Sequence, residues 1–222
     1  MALLHRAELR PSKIELVAGW APSQPWFEAS AGAELATVAS FRFDDPAGEV
    51  GIETLLVRAA DGPVLQVPLT YRGAPLEGGD AWLIGTMQHS VLGRRWVYDG
   101  AGDPAYLTAA ATAALTGGRQ ADQYVDVDGA LVFREPTAVV VGSGTSGTPV
   151  PPPVPADRVS MRPEPGSTVV AAGELRLVIV RTLGSDGRPR ALDRTDDVPS
   201  AVLAGTWSGQ VEPQPLVLVL AP

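Results

Sequence analysis

The chain has 222 residues, of which 45% are hydrophobic and 19% charged, a balance typical of a folded globular protein. It contains no cysteine, which excludes disulfides, thiolate metal sites and thiol catalysis. Acidic side chains outnumber basic ones by 25 to 17, and the net charge of −8 argues against nucleic acid and anionic membranes as partners.

The first residues lack the basic stretch and apolar run of a signal peptide, and the longest apolar runs are too short to span a bilayer. We therefore expect a cytoplasmic protein. The 24 glycines and 21 prolines indicate many turns and short strands.

The first predicted element is a short helix that begins at a capping box. Ser12 can cap the backbone there, while Glu15 reaches back to it. Apolar residues follow at helical spacing, at positions 14, 17, 18 and 21. Pro22 and Pro25 should end this helix.

Five runs rich in β-forming residues come next, and the turn residues Asp61 and Gly62 separate two of them. The runs cover residues 35–43, 51–58, 64–71, 81–87 and 94–99.

The clearest predicted helix begins after Asp103, an N-cap residue, with Pro104 at its first position, and it ends at Gly117. A hairpin follows, with its turn at residues 128–129. Pairing about that turn places Val125 opposite Val132 and Tyr124 opposite Phe133.

Gly, Ser, Thr and Pro dominate residues 142–155, and this composition predicts a linker. Gly142, Gly144 and Gly147 form a literal GxGxxG, but the prolines that follow cannot make the helix of a dinucleotide site. Beyond it, residues 173–183, 201–207 and 216–220 are typical of a small β-meander.

These elements predict an α+β fold, a mainly antiparallel curved sheet with two principal helices and a small C-terminal β-meander. We divide the chain into an α+β domain at 1–138, a linker at 139–156 and a small β element at 157–222, which can pack back on the first sheet. The run 175–180 is apolar apart from Arg176, so it should be buried on both faces.

No motif for catalysis or metal binding stands out. The two histidines, His5 and His89, lack metal-ligand spacing, and the carboxylate pairs 44–45 and 196–197 lie among turn residues. We predict no catalytic residue, metal or cofactor. The tryptophans and adjacent arginines suggest a candidate binding surface, made of Trp82, His89, Arg94, Arg95, Trp96 and Asp99.

Several ordered motifs carry a family resemblance, at residues 22–27 (PSQPWF), 65–72 (LQVPLTYR), 81–85 (AWLIG), 96–99 (WVYD) and 103–106 (DPAY). Together, from about residue 9 to 117, they resemble the N-terminal cap domain of bacterial maltokinases. The stretches 43–49 and 89–96 are similar to stand-alone cap-like proteins of actinobacteria, which lack the kinase body.

The resemblance implies a curved antiparallel sheet with helices packed on it. In a maltokinase this cap precedes a kinase-like body that phosphorylates maltose with ATP, and the cap does not carry out phosphoryl transfer. Here a short β tail follows the cap region, and no histidine lies beyond His89 to build a catalytic loop. No catalytic residue carries over.

Three functions follow as hypotheses. The favoured one is a non-catalytic accessory module that docks on another protein of α-glucan, trehalose or maltose metabolism. The alternative is a protein that binds a small ligand such as a sugar in the concavity of the sheet. The third is an enzyme that uses Asp99 or Asp103 near His89.

Overall fold

The computed structural model describes residues 2–4, 7–27, 33–60, 62–127, 129–184 and 198–221. Within these ranges two α-helices, α1 (Lys13–Trp20) and α2 (Pro104–Thr116), accompany sixteen strands. The strands are β1 (Ala2–Leu4), β2 (Leu9–Arg10), β3 (Leu35–Phe43), β4 (Gly51–Ala59), β5 (Val64–Arg72), β6 (Leu83–His89), β7 (Gly93–Asp99), β8 (Gln123–Val127), β9 (Ala130–Arg134), β10 (Ala138–Gly142), β11 (Val159–Glu164), β12 (Ser167–Ala172), β13 (Leu175–Val180), β14 (Thr182–Leu183), β15 (Pro199–Trp207) and β16 (Gln210–Leu220).

A seven-stranded antiparallel sheet forms the first half of the fold. Its strand order is β2-β6-β7-β5-β4-β3, with β14 paired to β5, and it curls into a half-barrel. The five strand runs predicted from the sequence correspond to β3–β7 of this sheet, except that residues 81 and 82 form part of a 3-10 turn before β6. The predicted α+β class, with a mainly antiparallel sheet and two helices, is confirmed.

Helix α1 begins at the predicted capping box. The Ser12 hydroxyl accepts the Glu15 N–H at 3.3 Å, and the Glu15 carboxylate accepts the Ser12 N–H at 2.7 Å. The helix ends at Trp20, and a single 3-10 turn that contains Pro22 follows it. The reciprocal cap therefore sets the start of the helix and the proline its end.

Helix α2 also begins and ends at the predicted residues. Asp103 caps it by accepting the Ala105 N–H at 2.9 Å, and the Arg72 guanidinium binds both oxygens of this carboxylate at 2.7 Å. Gly117, with a φ of 71°, closes the helix in the left-handed conformation. The ion pair thus joins the N-terminus of α2 to strand β5.

The seven-stranded sheet has a hydrophobic core on each face. Helix α1 packs on one face, where Val17 meets inward-facing residues such as Leu55 and Val67. Helix α2 and a second sheet cover the other face, where Phe41 and Leu56 belong to the same cluster as residues of both. The strands are therefore apolar on both faces, as layered sheets require.

The second sheet has six antiparallel strands, in the order β10-β15-β16-β13-β12-β11. The predicted meander accounts for β13, β15 and β16, and the run 175–180 is buried except at Arg176, which is half-buried. The segment predicted as a linker, 139–156, begins inside strand β10, and residues 143–155 have no regular secondary structure. The division into domains stays a prediction.

The GxGxxG segment closes the end of helix α2. The N–H of Gly144 donates to Ala114 O and that of Thr145 to Leu115 O, both at 2.9 Å, so two terminal carbonyls of the helix are satisfied. A Cβ at Gly142 would collide with the carbonyl of Ala113, and one at Gly144 with that of Leu115. These glycines therefore serve close backbone packing.

A buried ion pair joins the two larger sheets. Arg181, which separates β13 from β14, donates to Asp99 at 2.6 Å and to the Thr168 hydroxyl at 2.9 Å. Its guanidinium also lies 4.9 Å from the centroid of the Trp26 ring. Arg181 is fully buried, so this charge is compensated inside the protein.

The third sheet contains three strands, with β1 parallel to β8 and β8 antiparallel to β9. The predicted hairpin register is confirmed, because Val125 pairs with Val132 and Tyr124 with Phe133. Along the described chain we find no helix of the length and apolar character that a bilayer crossing demands.

Candidate ligand-binding site

A cavity of about 630 Å³ opens on the α1 face of the seven-stranded sheet, beyond the start of the helix. Its volume lies in the range of small-molecule sites. Polar side chains line it from five elements, namely α1 with Lys13, β3 with Arg42, β5 with Tyr71, β6 with His89 and β7 with Arg95. On the strands, Tyr71 follows the alternation that places Val67 on the same face of β5.

A buried carboxylate lies behind one side of the cavity and binds two of the side chains that line it. Glu53, on β4, accepts from Lys13 Nζ at 2.6 Å and from the Tyr71 hydroxyl at 2.9 Å, with Arg42 Nη1 at 3.6 Å. Burial raises the pKa of Glu53, but the charges of Lys13 and Arg42 and the hydrogen bonds outweigh it, so the pKa lies below the ordinary 4.5. Glu53 is therefore ionised and already fully engaged.

Tyr71 stays protonated beside that carboxylate. Burial, together with the negative charge of Glu53, raises the pKa of the Tyr71 hydroxyl well above its ordinary value. The Lys13 ammonium also lies 5.5 Å from the centroid of the Tyr71 ring. Lys13, Tyr71 and Glu53 thus form one hydrogen-bonded network, of which Lys13 and Tyr71 line the cavity.

Arg95 and His89 stand on the other side. The Arg95 Nη2 donates to Leu92 O at 2.7 Å, and His89 Nδ1 accepts the N–H groups of Val91 and Leu92 at 3.2 and 3.1 Å. Both side chains therefore help to hold the β6–β7 turn. Arg95 Nε and Arg42 Nε are buried, and neither has a hydrogen-bond partner.

The β3–β4 turn forms an acidic rim. Asp45 is committed to the turn itself, because its carboxylate accepts the N–H groups of Ala47, Glu49 and Val50 at 2.9–3.1 Å. Asp44 and Glu49 are exposed and also line the cavity. The carboxylate pair at 44–45 thus lies in a turn, as the sequence indicated, with Asp44 exposed and Asp45 half-buried. Residues 196–197 and His5 lie outside the described residues.

The structure divides the predicted binding surface between the two faces of the sheet. Arg95 and His89 line the cavity, whereas Arg94 is exposed and stacks on Trp96, 5.0 Å from its ring centroid. Trp82 is half-buried in the turn before β6. Asp99 does not reach either surface, since it is 3% exposed and paired with Arg181.

Sequence reasoning missed Lys13, Arg42, Glu53 and Tyr71. A signal was present for two of them, because the charged residues Arg42 and Glu53 interrupt strands that are otherwise rich in apolar residues. Arg94 and Arg95 are adjacent in strand β7, so the alternation of side chains along a strand by itself places them on opposite faces of the sheet. In the ranges that the structure covers, no group of three or more potential metal-ligating side chains comes together.

Comparison with known proteins finds a match in the part of the chain that contains most of the cavity residues. Residues 20–103 match the family model described as the maltokinase N-terminal cap domain. Residues 20–103 are thus similar to that cap domain, and we call them the cap-like module. This confirms the resemblance inferred from the motifs, and the matched residues include all of β3–β7. Among curated proteins the chain has no match.

The cap module supplies most of the cavity. Arg42, Tyr71, His89 and Arg95 all lie within the matched residues, whereas Lys13 precedes them. Asp99 is also a residue of the cap, and its partner Arg181 comes from the C-terminal part of the chain. The cap-like module therefore makes a buried ion pair with a residue outside the family match.

Proposed function

We propose that the protein is a non-catalytic accessory module of α-glucan, trehalose or maltose metabolism, which acts by binding another protein of that metabolism. The match of residues 20–103 to the cap of a maltokinase carries this proposal. The net charge of −8 suits a partner with a basic surface, because complementary fields speed association and favour correct docking.

Two carboxylates that could have served an enzyme are committed to the fold. Asp99 is buried against Arg181, and Asp103 binds Arg72, Thr70 and the N-terminus of α2. His89 accepts hydrogen bonds from its own turn. These contacts support an accessory role over the catalytic alternative.

Affinity capture of the tagged protein from its native lysate tests the accessory role. We expect near-stoichiometric recovery of an enzyme that acts on maltose, trehalose or an α-glucan, followed by direct binding of the two purified proteins. Repeated captures that yield no such enzyme would count against it.

A pair of alanine variants tests whether the Arg94–Trp96 face is the docking face. Arg94→Ala removes the exposed guanidinium that stacks on Trp96, and Arg119→Ala removes an arginine that is 70% exposed elsewhere. We expect the first to weaken capture of the enzyme and the second to leave it unchanged.

The second candidate function is binding of a small polar ligand such as a sugar. The cavity of about 630 Å³, with convergent polar side chains on a rigid sheet, supports it. Calorimetric titration with maltose, trehalose and short glucans tests a neutral sugar directly. Absence of heat with all of them would remove a neutral sugar from consideration.

A further inference from the structure

We propose that the cavity on the α1 face binds a small molecule through an oxyanion, a phosphate monoester or a carboxylate, which Arg42 and Arg95 hold. This inference deepens the ligand-binding candidate and rests on it; it is independent of the accessory role.

The positively charged side chains around the cavity differ in how closely a carboxylate neutralises them. Lys13 is neutralised by Glu53 at 2.6 Å, and Glu53 is itself buried. Arg42 lies farther from the same carboxylate, at 3.6 Å, and Arg95 has no ion pair among the contacts of the described residues. Two guanidinium groups therefore line one cavity, and Glu53 behind its wall is already bound by Lys13 and Tyr71. The carboxylates that line the cavity itself all lie on the β3–β4 turn.

Both guanidinium groups retain unused donors. Arg42 Nε and Arg95 Nε are buried, and each lacks an acceptor. A buried donor without a partner is destabilising, and an oxyanion is the acceptor that matches a guanidinium best. After small rearrangements of the two arginine side chains, a ligand oxyanion would accept hydrogen bonds from both Nε groups.

The backbone leaves room for the Arg95 guanidinium. A Cβ at Gly73 would lie 2.9 Å from Arg95 Nη1, so the arginine extends across a position that has no side chain. Arg95 also donates to Leu92 O, which fixes one edge of its guanidinium. The group is thus preorganised, and binding has little side-chain entropy to lose.

The acidic rim limits what the rest of the ligand can be. Exposed Asp44 and Glu49 on the β3–β4 turn repel a second anionic group at the mouth but accept hydrogen bonds from hydroxyls. The site therefore favours a small polar molecule with one anionic end over a polyanion such as nucleic acid.

Neighbouring arginines provide the matched variants that test this inference. The purified full chain is titrated by calorimetry, at low and constant ionic strength, with inorganic phosphate, glucose 6-phosphate, gluconate and glucose. We expect binding of at least one anionic probe and not of glucose, and a loss of about tenfold or more in affinity for Arg95→Gln. Arg94→Gln, on the opposite face, should bind as the unmodified chain does.

Arg42→Gln provides a second variant of the proposed site. Urea unfolding verifies that each variant is folded. Preference for the phosphates over gluconate assigns a phosphate ligand, and the reverse preference assigns a carboxylate. The inference is overturned if glucose binds as well as glucose 6-phosphate, if Arg94→Gln and Arg95→Gln weaken binding equally, or if no anion binds at about 10 mM. Binding of glucose alone would retain the ligand-binding candidate and remove the oxyanion.

Discussion

Arg181 and Asp99 form an ion pair of 2.6 Å whose two side chains are 0% and 4% exposed, although 82 residues separate them in the chain. Asp99 ends strand β7 of the cap, and Arg181 connects the two larger sheets. A charge buried to this degree is tolerated only with its partner in place.

Arg181→Met should therefore destabilise the protein strongly. It leaves Asp99 as an uncompensated buried charge, so we expect the free energy of unfolding to fall by about 3–5 kcal/mol. Urea denaturation measures this change. Arg119→Met is the control, because its ion pair is exposed and should cost less than about 1 kcal/mol. Equal effects of the two variants would contradict the structural role of Arg181.

The cap should not fold without the C-terminal sheet. In a chain that ends at residue 138, Phe41, Ile52 and Leu56 lose the strands that cover them. We expect a fragment that binds a hydrophobic dye and melts without a sharp transition by circular dichroism. A fragment that melts as sharply as the full chain would establish 1–138 as an independent domain.

Gly144→Ala tests the contact between the GxGxxG segment and α2. The added Cβ would clash with the backbone carbonyl of Leu115, which cannot move aside as a flexible side chain can. We expect a loss of about 1–3 kcal/mol, measured by urea denaturation. Gly19→Ala, in α1 with nothing within 4 Å, should instead stabilise by about 0.5–1 kcal/mol. If Gly144→Ala left the free energy of unfolding unchanged, the segment would not be held closely against the end of α2.

Glu53 should make the stability depend on pH in acid. Because its pKa in the folded protein lies below the ordinary 4.5, its contribution is fully present above that value and is lost as pH falls through the lowered pKa. Unfolding free energies between about pH 6 and pH 3 should show this loss. Glu53→Gln should flatten that dependence, whereas Glu212→Gln, on an exposed side chain, should preserve it.

Local signals in the sequence predicted the elements that local contacts determine. The capping box fixed the start of α1, Asp103, Pro104 and Gly117 fixed both ends of α2, and the hairpin turn fixed the register of β8 and β9. Each of these depends on residues within a few positions of one another. The sequence could therefore be interpreted directly there.

Long-range contacts were not visible in the sequence. The linker boundary at 139 falls inside strand β10, because the partner strand β15 lies some sixty residues later, beyond Gly- and Pro-rich residues. Strand β11 contains Pro163, which is tolerated at the edge of the six-stranded sheet. The pairing of Asp99 with Arg181 depends on the same tertiary arrangement, so Asp99 was assigned to a surface that it does not reach.

The passage of the chain from β13 to β14 has a consequence for the dynamics of the protein. Arg181 is the single residue between a strand of one sheet and a strand of the other, and Gln66 of β5 donates to Val180 O and Leu216 O beside it. An opening that releases β5 must also release β13. Amide protons in these two strands should therefore exchange with solvent at one common free energy, as members of a single foldon.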